Sequence, residues 1–112
     1  MNIIHVLKKN KDYKRVYSFG KSLANRHLVL FFLANNLGIC RFGFTASKKV
    51  GNAVIRNRIR RLFKEACRIN LKRFPAGFDF VLLARRNIVG QKYQAVEESL
   101  LKLLKNTKYY RG

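Results

Sequence analysis

The residues with the most concentrated chemical potential lie between Lys48 and Arg73. Lys48, Lys49, Arg56, Arg58, Arg60, Arg61, Lys64, Arg68, Lys72 and Arg73 crowd this stretch, and Glu65 is the one carboxylate among them. Each such cation can meet a phosphate and release a counterion. Arginine rather than lysine dominates from Arg56 to Arg61, and a planar guanidinium pairs bidentately with phosphate and stacks on exposed bases. Acidic partners at four-residue spacing, which would mark a merely solvated helix face, are nearly absent. This composition points to structured RNA. Material for catalysis by side chains is scarce by comparison. The carboxylates are Asp12, Glu65, Asp79, Glu97 and Glu98, and the adjacent Glu97 and Glu98 point in different directions from a helix, which disfavours an acid/base pair. His5 and His27 stand alone, and no HExxH, paired CxxC, GxGxxG or P-loop pattern occurs. The polypeptide is expected to catalyse nothing by itself.

A second group of residues suits unpaired nucleotides. Tyr13 and Tyr17 are one helical turn apart, and Val29, Phe31 and Thr45 are expected on one sheet face, opposite Phe42 and Phe44. An aromatic trough flanked by Lys and Arg stacks bases with little regard to sequence. Periodicity alone is equally compatible with these aromatics being core, although tyrosine in place of phenylalanine favours partial exposure.

The elements that must position these groups follow from patterning. Asn10 and Asp12 can cap a first helix that runs to about Phe19 and ends at Gly20. Leu28 to Ala34 reads as a strand, Asn35 to Gly38 as a turn, and Ile39 to Ala46 as a returning strand, predicting an antiparallel hairpin. Asn52 is a natural N-cap for a long helix to about Leu71, with Ile55, Ile59, Leu62, Ala66 and Ile69 as its apolar stripe. Arg56, Arg60, Arg61, Lys64 and Arg68 lie away from that stripe. Phe74 to Gly77 breaks the helix, Phe78 to Ala84 is a strand buried on both faces, and Tyr93 to Lys105 forms a last helix before a basic tail. The expected fold is an α+β two-layer sandwich with a small mixed sheet, in the order α-β-β-(β)-α-β-α. The bracketed element is an optional short strand near residues 20–26.

The whole-chain numbers agree with one RNA-binding domain over residues 1–112. Twenty-five Lys and Arg oppose 5 Asp and Glu, a net charge of +20, which a polyanion would neutralise. The 48% hydrophobic share suffices for a packed core. No apolar run reaches the length of a membrane span, and Met1 to Lys11 lacks the features of a secretory signal, so a cytoplasmic protein without membrane association is expected. Cys40 and Cys67 have no neighbours at metal-ligand spacing and are expected to be buried, reduced thiols. Metal ligands on the protein are not readable from the sequence.

The run Ser47-Lys48-Lys49-Val50-Gly51-Asn52-Ala53-Val54-Ile55-Arg56-Asn57-Arg58-Ile59-Arg60-Arg61 resembles the signature of the protein subunit of bacterial ribonuclease P. Upstream, Lys11-Asp12-Tyr13 through Val16-Tyr17 and Gly20-Lys21-Ser22 through Ala24-Asn25-Arg26 resemble that family's first helix and the loop after it. The resemblance implies a ribonucleoprotein that removes 5′ leaders from precursor tRNA, with hydrolysis on an RNA subunit that holds Mg²⁺. It implies that Arg56, Asn57 and Arg58, with Lys48, Lys49, Asn52, Arg60, Arg61, Lys64 and Arg68, face the catalytic RNA. It likewise assigns Tyr13, Tyr17, Val29, Phe31, Thr45 and Lys49 to the single-stranded leader. A left-handed βαβ crossover and a monomeric protein bound to one RNA subunit are further implications. A ribosomal-type protein that scaffolds rRNA is the alternative. It shares the charge but needs no aromatic trough.

Overall fold

A computed structural model describes residues 3–112. Five strands form one mixed sheet: β1 (His5–Val6), β2 (Lys21–Ala24), β3 (Leu28–Ala34), β4 (Arg41–Thr45) and β5 (Phe78–Ala84), in the spatial order β1-β4-β5-β3-β2. Three α-helices accompany them: α1 (Asn10–Phe19), α2 (Ala53–Ile69) and α3 (Tyr93–Lys105). The mixed α+β architecture is therefore as expected, and the optional strand near residues 20–26 is β2.

The expected hairpin between residues 28–34 and 39–46 is overturned. β5 lies between β3 and β4, antiparallel to the first and parallel to the second. The turn residues hold this gap open. Asn35 N–H donates to Gly77 O at 2.8 Å and Gly77 N–H donates to Ile39 O at 3.0 Å, so the start of β5 takes the position a hairpin partner would fill. The nearly continuous apolar sequence of β5 suits this central place, because both its faces are covered.

β1 was not anticipated. It is two residues long and pairs with β4 in parallel, extended by Leu7 N–H to Phe42 O at 2.7 Å. At α1, the residue before the helix is Lys9, whose side chain makes no capping bond, so Asn10 and Asp12 lie inside the first turn instead of capping it. The Asn52 cap is as expected: its side chain accepts from Ile55 N–H at 3.1 Å.

Alternation divides the sheet into two unlike faces. Phe42 and Phe44, Phe80 and Leu82, and Leu28, Leu30 and Phe32 share the face covered by α2 and α3, where Ile59, Phe63, Ala66, Leu100 and Leu104 complete the main core. The α2 stripe is rotated from the expected one. Phe63 and Cys67 are buried, whereas Ile69 is 50% exposed at the helix end. Cys67 is fully buried as expected, while Cys40 is only partly so; both are free thiols pushed up in pKa, chiefly by burial, Cys40 to about 12.

Helix α1 packs on the other face through Val16, which meets Val81 and Leu7. It leads directly into β2 through Gly20, where a Cβ would stand 2.5 Å from Val16 O and 2.8 Å from Phe32 O. A buried ion pair fastens α1 over one end of this face. Asp79, fully buried, accepts from Arg41 Nε at 2.8 Å and Nη2 at 2.7 Å and from Asn35 Nδ2 at 2.9 Å. Asp12 and Arg15 of α1 extend this cluster, at 3.9 Å from Arg41 and 3.8 Å from Asp79. The opposite end of the same face, at Val29, Leu83 and Thr45, is left without a helix over it.

Candidate nucleic-acid interface

The open end of that face is a trough built from α1 and three strands. The register aligns Val29, Leu83 and Thr45 in one row and Phe31, Val81 and Gly43 in the next. Tyr17 lies edge-on to Phe31 with ring centroids 4.9 Å apart, and Tyr13 follows at 6.5 Å. Gly43 makes room for Tyr13: a Cβ there would lie 2.5 Å from the ring's Cε1. The Tyr13 hydroxyl donates to Leu7 O at 3.4 Å, and the Tyr17 hydroxyl meets the Thr45 side chain. Burial raises both phenol pKa values, so both remain neutral hydrogen-bond donors at physiological pH. Tyr17 is 40% exposed, and Phe31, Val29 and Thr45 are half-buried. The residues expected to line the trough therefore do meet, and each keeps part of its surface exposed.

Helix α2 brings Arg60 to the same end. Arg60 Nη2 donates to Ala46 O at 3.2 Å and Nη1 to Asn57 Oδ1 at 2.9 Å, which lays the guanidinium beside the end of β4 and within electrostatic reach of Tyr13. Arg58 donates to Gln91 O at 3.0 Å and thereby fastens α2 to the segment before α3. Asn57, Arg61 and Lys64 project into solvent. Arg56 is half-exposed, and its shielded Nε has no hydrogen-bond partner among the described residues. Arg68 pairs with Glu65 one turn earlier. Lys48 and Lys49 lie exposed on a single 3₁₀ turn, where Ser47 Oγ accepts from Lys49 N–H at 3.3 Å.

Comparison with known proteins decides the family. The ribonuclease P family model matches residues 1–108. The chain belongs to the ribonuclease P protein family. It is 58% identical over all 112 residues to the ribonuclease P protein component of Pelotomaculum thermopropionicum, covering 100% of both chains. Identity to the component of Alkaliphilus metalliredigens is 44%, over 91% of this chain and 92% of that one. Among solved structures, the ribonuclease P protein of Staphylococcus aureus aligns with a TM-score of 0.85 at 32% identity, covering 97% of this chain and 100% of that one. That of Thermotoga maritima aligns with a TM-score of 0.85 at 31% identity, covering 93% and 98%.

In this ribonuclease P protein the trough continues into basic ground that pattern reading missed. Beyond Leu83, a depression of about 620 Å³ is lined by Arg26, Lys49, Arg85 and Arg86 together with Ser47 and Asn87, without a carboxylate. Arg85 is held there by donating to Asn25 O at 3.1 Å. The available signal was the Arg85-Arg86 pair at the end of β5. It became meaningful only once β5 was known to lie between β3 and β4, where its end adjoins the Val29–Thr45 row. Among the described residues, no three His, Cys, Asp or Glu side chains converge as metal ligands. No helix is long and apolar enough to cross a membrane.

Proposed function

We propose that this protein component of ribonuclease P receives the single-stranded 5′ leader of precursor tRNA in the trough of Tyr13, Tyr17, Val29, Phe31 and Thr45. The RNA subunit lies against Lys48, Lys49, Asn52 and the α2 side chains Arg56, Asn57, Arg58, Arg60, Arg61, Lys64 and Arg68. The observation that carries this reading is the adjacency of the two surfaces. The aromatic trough opens at Thr45, where Arg60 and Lys49 begin the basic surface. A leader in the trough and an RNA against α2 would thus meet at one point, as cleavage at the leader's junction requires.

The protein contributes binding, and the RNA subunit performs the hydrolysis. Asp79 and Asp12 are engaged by Arg41, Glu65 by Arg68, Glu97 by Asn70 and Tyr93, and Glu98 by Lys102, so among the described residues no carboxylates cluster to hold Mg²⁺. The ion belongs to the RNA in this reading. Since only the precursor carries a leader, stacking in the trough favours precursor over mature tRNA, a difference in affinity that clears product from the enzyme. The +20 charge accelerates encounter with RNA and makes binding depend steeply on salt. One protein and one RNA subunit, acting in the cytoplasm through this single domain, form the working complex.

The test is reconstitution with a bacterial ribonuclease P RNA at low Mg²⁺, with each component alone as a control. Cleavage of precursor tRNA should need the pair. Replacing Tyr13 and Tyr17 with Ala should lower precursor-over-mature discrimination roughly 5- to 150-fold, the range for losing one stacked base, while salt-sensitive RNA binding persists. Unchanged discrimination would leave only a scaffold for RNA.

A further inference from the structure

A second aromatic site lies at the other end of β3, outside the trough. Phe19, in the last turn of α1, is 76% exposed, an unusual position for a phenylalanine on so small a domain. With Lys21, Phe32, Leu33, Phe78 and Tyr109 it lines a cleft of about 140 Å³, far below the roughly 300–1,000 Å³ of a drug-sized pocket and suited to one flat ring. Tyr109 is 37% exposed and stands 4.4 Å from Phe78 and 6.2 Å from Phe32, centroid to centroid.

The wall formed by Tyr109 is held in place. Tyr109 N–H donates to Thr107 Oγ1 at 3.1 Å, Arg111 N–H to Arg73 O at 2.8 Å, and Arg73 Nη1 to the Tyr110 hydroxyl at 2.7 Å. The chain's C-terminal segment is thus docked, and the cleft needs little ordering before a ligand enters. Its surroundings are cationic. Lys21 lines it, Arg15 donates to Ala34 O on its rim at 3.2 Å, and Lys108 adjoins Tyr109, while no carboxylate lines it.

Apolar rings ringed by cations match an unpaired base with its flanking phosphates. A second copy of a +20 chain is repelled from the same surface. The leader is also a poor occupant. Phe19 follows Tyr17 by two residues, about 200° around the helix, and Phe32 faces the side of the sheet opposite Phe31. We infer that the cleft of Phe19, Phe78 and Tyr109 stacks one unpaired base of the ribonuclease P RNA subunit, a contact separate from both the trough and the basic face of α2. This rests on RNA as the protein's partner, which wild-type binding to the RNA subunit tests separately.

The experiment titrates purified bacterial ribonuclease P RNA, without tRNA, with wild-type protein and with Phe19→Ala, Phe19→Leu and Phe19→Tyr at one fixed salt concentration. Precursor-over-mature discrimination is then measured in each reconstituted enzyme. Phe19 is too exposed for these changes to threaten folding. Phe19→Ala and Phe19→Leu should raise the Kd for the RNA subunit at least 5-fold, Phe19→Tyr should bind like wild type, and discrimination should be the same in all four. Unchanged affinity in Phe19→Ala overturns the inference. So does wild-type affinity in Phe19→Leu, which would mean apolar contact without stacking, and so does a loss confined to discrimination, which would make the leader the occupant.

Discussion

The two faces of the sheet are built from similar residues and covered differently. On the α2 and α3 side, Phe42 packs against Phe74 and Phe80 at centroid distances of 4.9 and 6.1 Å, and Phe42, Phe74 and Phe80 are all buried. On the α1 side, Tyr13, Tyr17 and Phe31 make similar ring contacts, yet one short helix covers them only in part. Two helices seal the first face, whereas the second is half covered because Asp79 and Arg41 anchor α1 over one end. Aromatic clustering therefore does not by itself distinguish a sealed core from an open face. What distinguishes them here is how many elements the chain can lay over each face, and where an ion pair fixes them.

The strongest way to break this comparison is to truncate one ring on the sealed side. Phe80→Ala should cost roughly 3–5 kcal/mol of stability, read by denaturant unfolding, because it opens a cavity among rings that cannot collapse into it. The fraction still folded should discriminate precursor from mature tRNA as wild type does. A loss of discrimination there would mean that the two faces are not functionally separate.

Much of this arrangement was legible in the chain. The Asn52 cap, the alternation of Phe42, Gly43, Phe44 and Thr45, and the spacing of Tyr13 and Tyr17 are local signals, and each led to the observed placement. The position of β5 was not legible. Asn35 to Gly38 carries the composition of a hairpin turn, and only Gly77, some forty residues later, reveals that the turn spans a third strand. The same long-range pairing concealed Arg85 and Arg86 as neighbours of Lys49. Phe19 escaped notice for a different reason. Periodicity predicts which residues a helix can bury, and Gly20 marks the end of α1 as expected, but neither shows that Phe19 in the last turn stays 76% exposed beside Phe78 and Tyr109.

The next largest effect should come from the anchor. Asp79→Ala removes the acceptor that Arg41 and Asn35 share, leaving Arg41 with Asp12 at 3.9 Å and Asn35 with Ile39 O at 3.1 Å. It should cost about 3 kcal/mol, the low end for breaking a buried pair, since Arg41 keeps 22% side-chain exposure. Unlike Phe80→Ala, it should also lower precursor discrimination, because Asp12 and Arg15 lose the cluster that sets the tilt of α1. Equal discrimination in the two variants, measured on folded protein, would show that the ion pair stabilises the fold without positioning the trough.

A smaller change sharpens the comparison inside the trough. Gly43→Ala places a methyl group 2.5 Å from Tyr13 Cε1 and 2.8 Å from Cζ, so the ring must lift. Because the ring's outer end can move, the stability loss should be about 1 kcal/mol, the low end for overpacking, with discrimination reduced several-fold. Wild-type discrimination would mean that the proposed leader site does not depend on the placement of Tyr13.

The smallest effect concerns pH and lies on the sealed side. His27 Nδ1 is 2.5 Å from Ser99 Oγ, and Asn25 Nδ2 donates to Ser99 O at 3.0 Å, joining the β2–β3 turn to α3. Burial, then the neighbouring Arg26, lowers the His27 pKa below its ordinary 6.5. Below that ordinary value the unfolded chain takes up a proton that the folded chain resists, so stability is fully present above it and declines as pH falls towards the folded-state pKa. His27 is only partly shielded, so Tm should drop by at most a few degrees between pH 7.5 and 5.5. In His27→Gln that drop should vanish, while the pH dependence of precursor discrimination should match wild type, since the trough's tyrosines stay neutral throughout. A discrimination profile that follows His27 would couple the sealed side to the open one and end the separation of the two faces.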